Sequence, residues 1–302
     1  MRLTTSSEQS GCEISLQPFQ MCNLTEVNVS DVASQEDLNQ RVRDGAFLGT
    51  LQAAYTDFHY LRPIWKDTVE ADALIGVGMT GIGSGAVLGL NLEEAAEEVK
   101  KENARIAGIV GINCAARTTT IKPSGTISQL TGVSSGMHFP TFKYAIRRMR
   151  VGNTTPICQV LKDAGVPHEP DVFSEGTTVF SFPICNENAR EAKAVSAWEQ
   201  FAILAMLQRE WADNMVSCTV YFDPITEGNQ IEYMLSQFIP VIKSVSMLPH
   251  TDVGAYPQMP YEGITKEQYE ELLSTTPRID WSKFGGSDGA DSKFCNNDTC
   301  TI

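Results

Sequence analysis

Apolar residues recur at helical spacing in several stretches of the chain. From Ser34 to about His59, Leu38, Val42, Phe47, Leu48 and Leu51 fall roughly on one face, and Ser34 is suited to cap that segment. Residues 91–108, NLEEAAEEVKKENARIAG, carry the plainest helix signature, with Asn91 as cap, glutamates in the first turns, and Lys100 and Lys101 later. Residues 190–212 and 229–247 share the helical period. TVFSFPI (178–184) and SCTVYF (217–222) are β-branched and aromatic, as strands are, and residues 12–29 read as short strands and turns. Alternating strand and helix patterns predict an α/β architecture. The uncharged stretch from Ala73 to Leu92 holds glycines at 76, 78, 81, 83, 85 and 89, too many for a membrane-spanning helix, and predicts a packed, glycine-rich segment. From Thr276 onward the composition turns polar, as in a flexible tail.

Composition narrows the choice of function. The chain has 302 residues, 23 Lys and Arg against 37 Asp and Glu, and a net charge of −14. Its 42% hydrophobic content excludes a disordered or collagen-like chain. The acidic balance argues against duplex nucleic acid, though one local site could still hold a nucleotide. Eight cysteines, at 12, 22, 114, 158, 185, 218, 295 and 300, are too sparse for a disulfide scaffold. The first fifteen residues lack the apolar core of a signal peptide, so a reducing cytoplasm is expected. No CxxC is present and the four histidines lack metal-ligand spacing, which argues against zinc.

Four constellations could carry chemistry. GVGMTG (76–81) has the glycine spacing of a dinucleotide-binding turn, but a weak strand precedes it and more glycines follow, so close backbone packing is the better reading. KPSGTIS (122–128) offers backbone N–H groups, Lys122 and the hydroxyls of Ser124, Thr126 and Ser128; a phosphate cradle and an ordinary turn both fit. Cys12 and Glu13, with Cys22 nearby, are either redox and acid–base machinery or scattered core residues. Cys295 and Cys300, near the end of the polar tail, are either a dithiol shuttle, the better reading, or an incidental pair.

Together these residues resemble the adenosylcobalamin-dependent (class II) ribonucleotide reductases, of the ribonucleoside-triphosphate reductase type. The resemblance is carried by EISLQPFQMCNLTEVN (13–28), RPIWKDTVEADALIGVGMTGIGSG (62–85), GINCAARTTTIKPSGTISQLTGVSSGMHF (111–139), YAIRRMRV (144–151), REWADNMVSCTVYFDP (209–224), MLPHTDVGAYPQMPYEGITKEQYEEL (247–272) and the terminal CNNDTC. It implies the later portion of a ten-stranded α/β barrel over residues 12–275, with a redox tail over 276–302 and an unmatched extension over 1–11. It implies a ribonucleotide substrate, adenosylcobalamin as the radical source and a thioredoxin-like reductant. On this resemblance Glu13 is the general base and Cys22 one member of the reducing pair. Cys295 and Cys300 are the tail dithiol, and Ser124, Gly125 and Thr126 hold the substrate phosphate.

One departure stands out. The family's NxCxE register places the radical cysteine on Gly11 and the asparagine on Gln9. Either Cys12 is that cysteine after a one-residue slip, or an upstream reductase fragment supplies the preceding motif. The second reading keeps the Glu13-to-Cys22 spacing and implies that the chain alone is inactive. No adjacent tyrosine pair is present, as the diferric-type large subunit would require. Outside the superfamily, a non-catalytic assembly half-protein with unused cysteines is the alternative, and a nicotinamide dehydrogenase the third.

Overall fold

The computed structural model describes residues 14–250 and 256–284. In chain order the elements are β1 (Asn23–Asn28), α1 (Gln35–Ala53), α2 (Pro63–Asp72), β2 (Ile75–Thr80), α3 (Leu92–Val110), α4 (Ile127–Thr131), β3 (Tyr144–Gly152), α5 (Pro156–Asp163), β4 (His168–Pro170), β5 (Thr177–Cys185), α6 (Ala197–Met206), β6 (Thr219–Phe222), α7 (Ile231–Phe238), β7 (Ser246–Pro249), β8 (Tyr261–Gly263) and α8 (Lys266–Thr275). The chain divides into two compact units, residues 1–143 with 186–251, and residues 144–185 with 252–302.

The first unit is built on parallel pairing. β1 and β2 run parallel in the register Leu24↔Gly76, Glu26↔Gly78 and Asn28↔Thr80. A parallel bridge joins Val77 to Thr119, and a second joins Ile121 to Val216. β6, three residues further on, pairs in parallel with β7. The chain thus lays five parallel segments side by side: β1, β2, residues 118–121, the 216–222 segment and β7. Parallel neighbours need long crossovers, and the helices supply them. Strand residues alternate between faces. Thr25 turns toward α1, donating from Oγ1 to the Gly45 carbonyl at 3.0 Å. Val27, Val77 and Met79 join Leu38, Val42 and Ala46 of α1 and Val99 of α3 in one buried cluster. The opposite face carries Leu24, Glu26, Gly76 and Gly78.

Ser34 caps α1, accepting from the Asp37 N–H, and Asn91 caps α3, accepting from the Glu94 N–H. Both match the sequence pattern. α1 stops at Ala53, short of His59, because Tyr55 and Tyr60 beyond it are exposed and no core contact extends it. The 190–212 expectation narrows to α6, capped by Ser196 and ending in a π-turn over Leu207–Trp211. The 229–247 expectation narrows to α7, since Pro240 just past its end lacks the N–H to continue it, and residues 246–249 join the parallel set instead.

The second unit is an antiparallel sheet in the order β4-β5-β3-β8. Cys158, Leu161 and Val166 pack with Phe180 of β5 to form its core. A capping box at Thr265 and Gln268 starts α8. Among the described residues no helix is long and apolar enough to cross a membrane. Most of the expected tail, including Cys295 and Cys300, lies outside the described residues, as do residues 1–13 with Cys12 and Glu13.

Candidate functional site

The opposite face of β1, β2 and residues 118–121 is shaped by what β2 lacks. A Cβ placed on Gly76 would lie 2.6 Å from Leu24 Cδ2, 2.9 Å from Ile14 Cδ1 and 3.0 Å from Thr120 Cγ2. One placed on Gly78 would lie 2.9 Å from Glu26 Oε1. The glycines therefore sit inside a strand and make room for neighbouring side chains. Close backbone packing, the better reading of 76–81, agrees with the strand that runs through it. The same contacts bring Ile14, the residue after Glu13, onto this face.

Cys22 is half-buried and directly precedes β1, in the alternation of Leu24 and Glu26. At the far end of this face, Glu26 is almost fully buried, and its Oε2 lies 3.8 Å from the Lys122 ammonium. Lys122 opens the turn that follows residues 118–121. Within that turn Ser124 is buried with φ of +53°, while Gly125 and Thr126 are exposed. Its carbonyl accepts from the Ser128 N–H at 3.0 Å, which starts α4. The hydroxyls of Ser124 and Ser128 are buried and have no hydrogen-bond partner among the described residues. Buried polar groups are ordinarily paired, so two orphaned hydroxyls beside one exposed turn mark a place suited to an added acceptor.

The segment after α4 folds back over the ends of the strands. The Thr80 hydroxyl donates to the Ser134 carbonyl at 3.1 Å and accepts from the Gly136 N–H at 3.2 Å. Gly136 has φ of +55°, and a Cβ on it would lie 2.3 Å from the Lys122 carbonyl oxygen. His138 ends this segment, with Nδ1 3.0 Å from the Ser135 carbonyl and Nε2 accepting from the Thr219 N–H at 3.0 Å. That arrangement fits a neutral ring protonated at Nδ1, and burial lowers its pKa from the ordinary value of 6.5. A small cavity of about 10 Å³ beside Ser30, Gly81 and Ser134 has room for a water at most.

Residues 118–121 are held from the other side by Asp213. Its carboxylate accepts from the N–H groups of Thr118 and Thr119, at 2.9–3.0 Å, and from both hydroxyls. Asp213 was not singled out from the sequence, although it lies in the REWADN segment. Glu26 was missed as well, because a lone acid inside NLTEVN gives no periodic signal. Among the other described cysteines, Cys158 and Cys218 are buried, Cys185 is half-buried and Cys114 is exposed.

Comparison with known proteins defines the class. A solved B12-dependent (class II) ribonucleotide reductase matches 92% of this chain and 43% of its own, with a TM-score of 0.73 and 29% identity. The adenosylcobalamin-dependent ribonucleoside-triphosphate reductase of Euglena gracilis is 33% identical over 305 residues, covering 95% of this chain and 41% of that protein. Its counterpart in Levilactobacillus brevis is 33% identical over 336 residues, covering 96% and 44%. That of Lactobacillus leichmannii is 40% identical over 185 residues, covering 60% and 25%. No family model matches the sequence. Fold and sequence together define a class II ribonucleotide reductase chain. Within that class, the chain belongs to the adenosylcobalamin-dependent ribonucleoside-triphosphate reductase family, and it spans about two fifths of the length of the full-span relatives it matches.

Proposed function

We propose that this chain forms part of the catalytic body of a reductase that converts ribonucleotides, as triphosphates, to 2′-deoxyribonucleotides. The observation that carries the reading is the shared face on which Ile14, Leu24 and Glu26 meet the glycine floor of β2, with the Ser124–Thr126 turn at one end and the orphaned hydroxyls of Ser124 and, in α4, Ser128. On this reading the five parallel segments are the later half of a ten-stranded barrel, completed by an upstream reductase fragment.

The turn binds the substrate phosphate through the N–H groups and hydroxyls of Ser124, Gly125 and Thr126, donors that suit an anion. A nucleotide held there extends along β1 toward Cys22, which lies about 13 Å from Glu26 at the rise of a strand. Adenosylcobalamin supplies the radical. Among the described residues no group of three or more His, Cys, Asp or Glu could hold a metal ion. A cysteine thiyl, on Cys12 or on the upstream fragment, takes the 3′ hydrogen of the ribose. Glu13 takes the 3′-hydroxyl proton and later gives it back, the 2′-hydroxyl leaves as water with a proton from a thiol, and the first cysteine returns its hydrogen to C3′, which restores the thiyl. Two thiols, Cys22 and a partner on the upstream fragment, give up two electrons and two protons and become a disulfide. Cys295 and Cys300 reduce that disulfide by exchange, and a thioredoxin-like protein in the cytoplasm reduces them in turn.

The test is a reduction assay with CTP, adenosylcobalamin and a dithiol. The chain is assayed alone and with an upstream fragment ending in an asparagine-x-cysteine motif. Turnover is expected only with both, and Glu13→Gln is expected to abolish it. Turnover by the chain alone would overturn the split arrangement. Absence of turnover with both, together with absence of CTP binding, would overturn the reductase reading.

A further inference from the structure

We propose that Glu26 and Lys122 form a positioning pair that fixes the entrance of the Pro123–Thr126 turn against β1 and β2. This rests on the reading of that turn as the substrate-phosphate site. A carboxylate on a buried face is costly unless an opposite charge answers it. Only 4% of the Glu26 side chain is exposed, against 29% for Lys122, and the two charges lie 3.8 Å apart.

The surroundings are cut to fit the pair. Glu26 faces Gly78 across the β1–β2 register, and even a methyl group at 78 would lie 2.9 Å from its Oε1. Lys122 is held at two points. Its ammonium reaches down to Glu26, and its carbonyl lies so close to Gly136 that a Cβ there would fall 2.3 Å from the oxygen. The next residues must hold Ser124 at φ of +53°, which a non-glycine residue keeps only where its surroundings impose it. With Lys122 tied to the strand floor, the turn has one fixed end from which to aim its donors. Lys122 acts through the turn in this scheme and leaves the phosphate to the neutral donors beyond it.

This differs from a direct role of Lys122 on the phosphate in a measurable way. If the ammonium bound phosphate itself, removing the Glu26 charge would free it, and affinity would hold or rise. In the positioning scheme both Glu26→Gln and Lys122→Met loosen the turn and weaken binding, while Lys122→Arg keeps most of both.

The experiment measures amide hydrogen exchange at Ser128, Leu130 and Val133, whose N–H groups are bonded to the carbonyls of Ser124, Thr126 and Ser128, in the 302-residue chain, well below its melting temperature. Titrations with CTP and with inorganic tripolyphosphate accompany it. Both single variants are expected to speed exchange at these amides by about tenfold or more, with CTP binding weakened to a similar degree. The Glu26→Gln/Lys122→Met double variant, which leaves no lone buried charge, keeps the test open if a single variant fails to fold. Unchanged exchange at these amides in folded variants, with only the melting temperature lowered, would overturn the proposal, as would tighter CTP binding by Glu26→Gln. If the unsubstituted chain binds neither CTP nor tripolyphosphate, the phosphate reading falls. The exchange data then uphold or overturn the pair by themselves.

Discussion

Gly132 and Gly136 bracket the return of the chain over the strand ends, and they form a matched pair for a packing experiment. Both have left-handed backbone, with φ of +68° and +55°. They differ in room: a Cβ on Gly132 meets nothing within 4 Å, whereas one on Gly136 would lie 2.3 Å from the Lys122 carbonyl oxygen. Gly132→Ala therefore carries only the left-handed cost, about 1 kcal/mol. Gly136→Ala carries that cost and an overpacking cost of about 1–3 kcal/mol besides, because the obstacle is backbone and cannot rotate away. For a unit of this size each kcal/mol lowers Tm by about 2–4 °C, so the first variant is expected to lose about 2–4 °C and the second about 4–16 °C. Scanning calorimetry on the two variants and the parent at one pH reads this out. Equal losses would refute the reasoning, since the left-handed strain would then be the whole effect and the contact with Lys122 would cost nothing.

Other expectations follow from the same neighbourhood. His138 is held neutral by burial, so as pH falls below about 6.5 the unfolded chain takes a proton that the folded chain refuses, and stability is lost. Tm measured at pH 7.5 and 5.5 should fall more for the parent than for His138→Gln, and parallel losses would exclude the histidine as the cause. Burial pushes the Cys218 thiol up to about 12. At pH 8 a thiol reagent followed by mass spectrometry should label the exposed Cys114 well before Cys218 or the buried Cys158; Cys218 labelling at the rate of Cys114 would contradict the burial. Asp213→Ala strands the N–H groups of Thr118 and Thr119, at about 1–3 kcal/mol each. Its Tm should therefore drop by several degrees more than that of Asp213→Asn, which keeps one acceptor, and a smaller drop would show that water replaces the carboxylate.

How far the sequence disclosed this structure varied with the kind of signal. α3 could be read almost to the residue, because its cap, its acidic first turn and its apolar stripe all say the same thing. β2 was harder to see. It is fully buried and carries two glycines, so it lacks both the alternation of a half-exposed strand and the bulk of a core one. α7 was overextended because residues 239–247 keep a helical rhythm while Pro240 forbids the helix. At the site, the resemblance supplied Cys22 and the Ser124–Thr126 turn, and these the structure describes. Glu26 and Asp213 escaped because their partners lie about a hundred residues away in sequence, Lys122 at 96 positions from Glu26 and Thr118 at 95 from Asp213. Such pairs form only when parallel segments are laid side by side.

The bare inner surface of β2 has a consequence for how this region can change. At 76 and 78 the strand presents no side chain, and mutations there act first by the volume they add. Position 76, where a Cβ would meet Leu24, Ile14 and Thr120, should then rank substitutions by size, while at 78 a serine could bond the Glu26 carboxylate that an alanine would only crowd. Chemical variation would be confined to the flanking segments that lean over the strand, such as Leu24, Glu26 and Thr120. β2 acts as a gauge that sets how thick its neighbours can be, and a change in the shape of this face would have to begin on those neighbours.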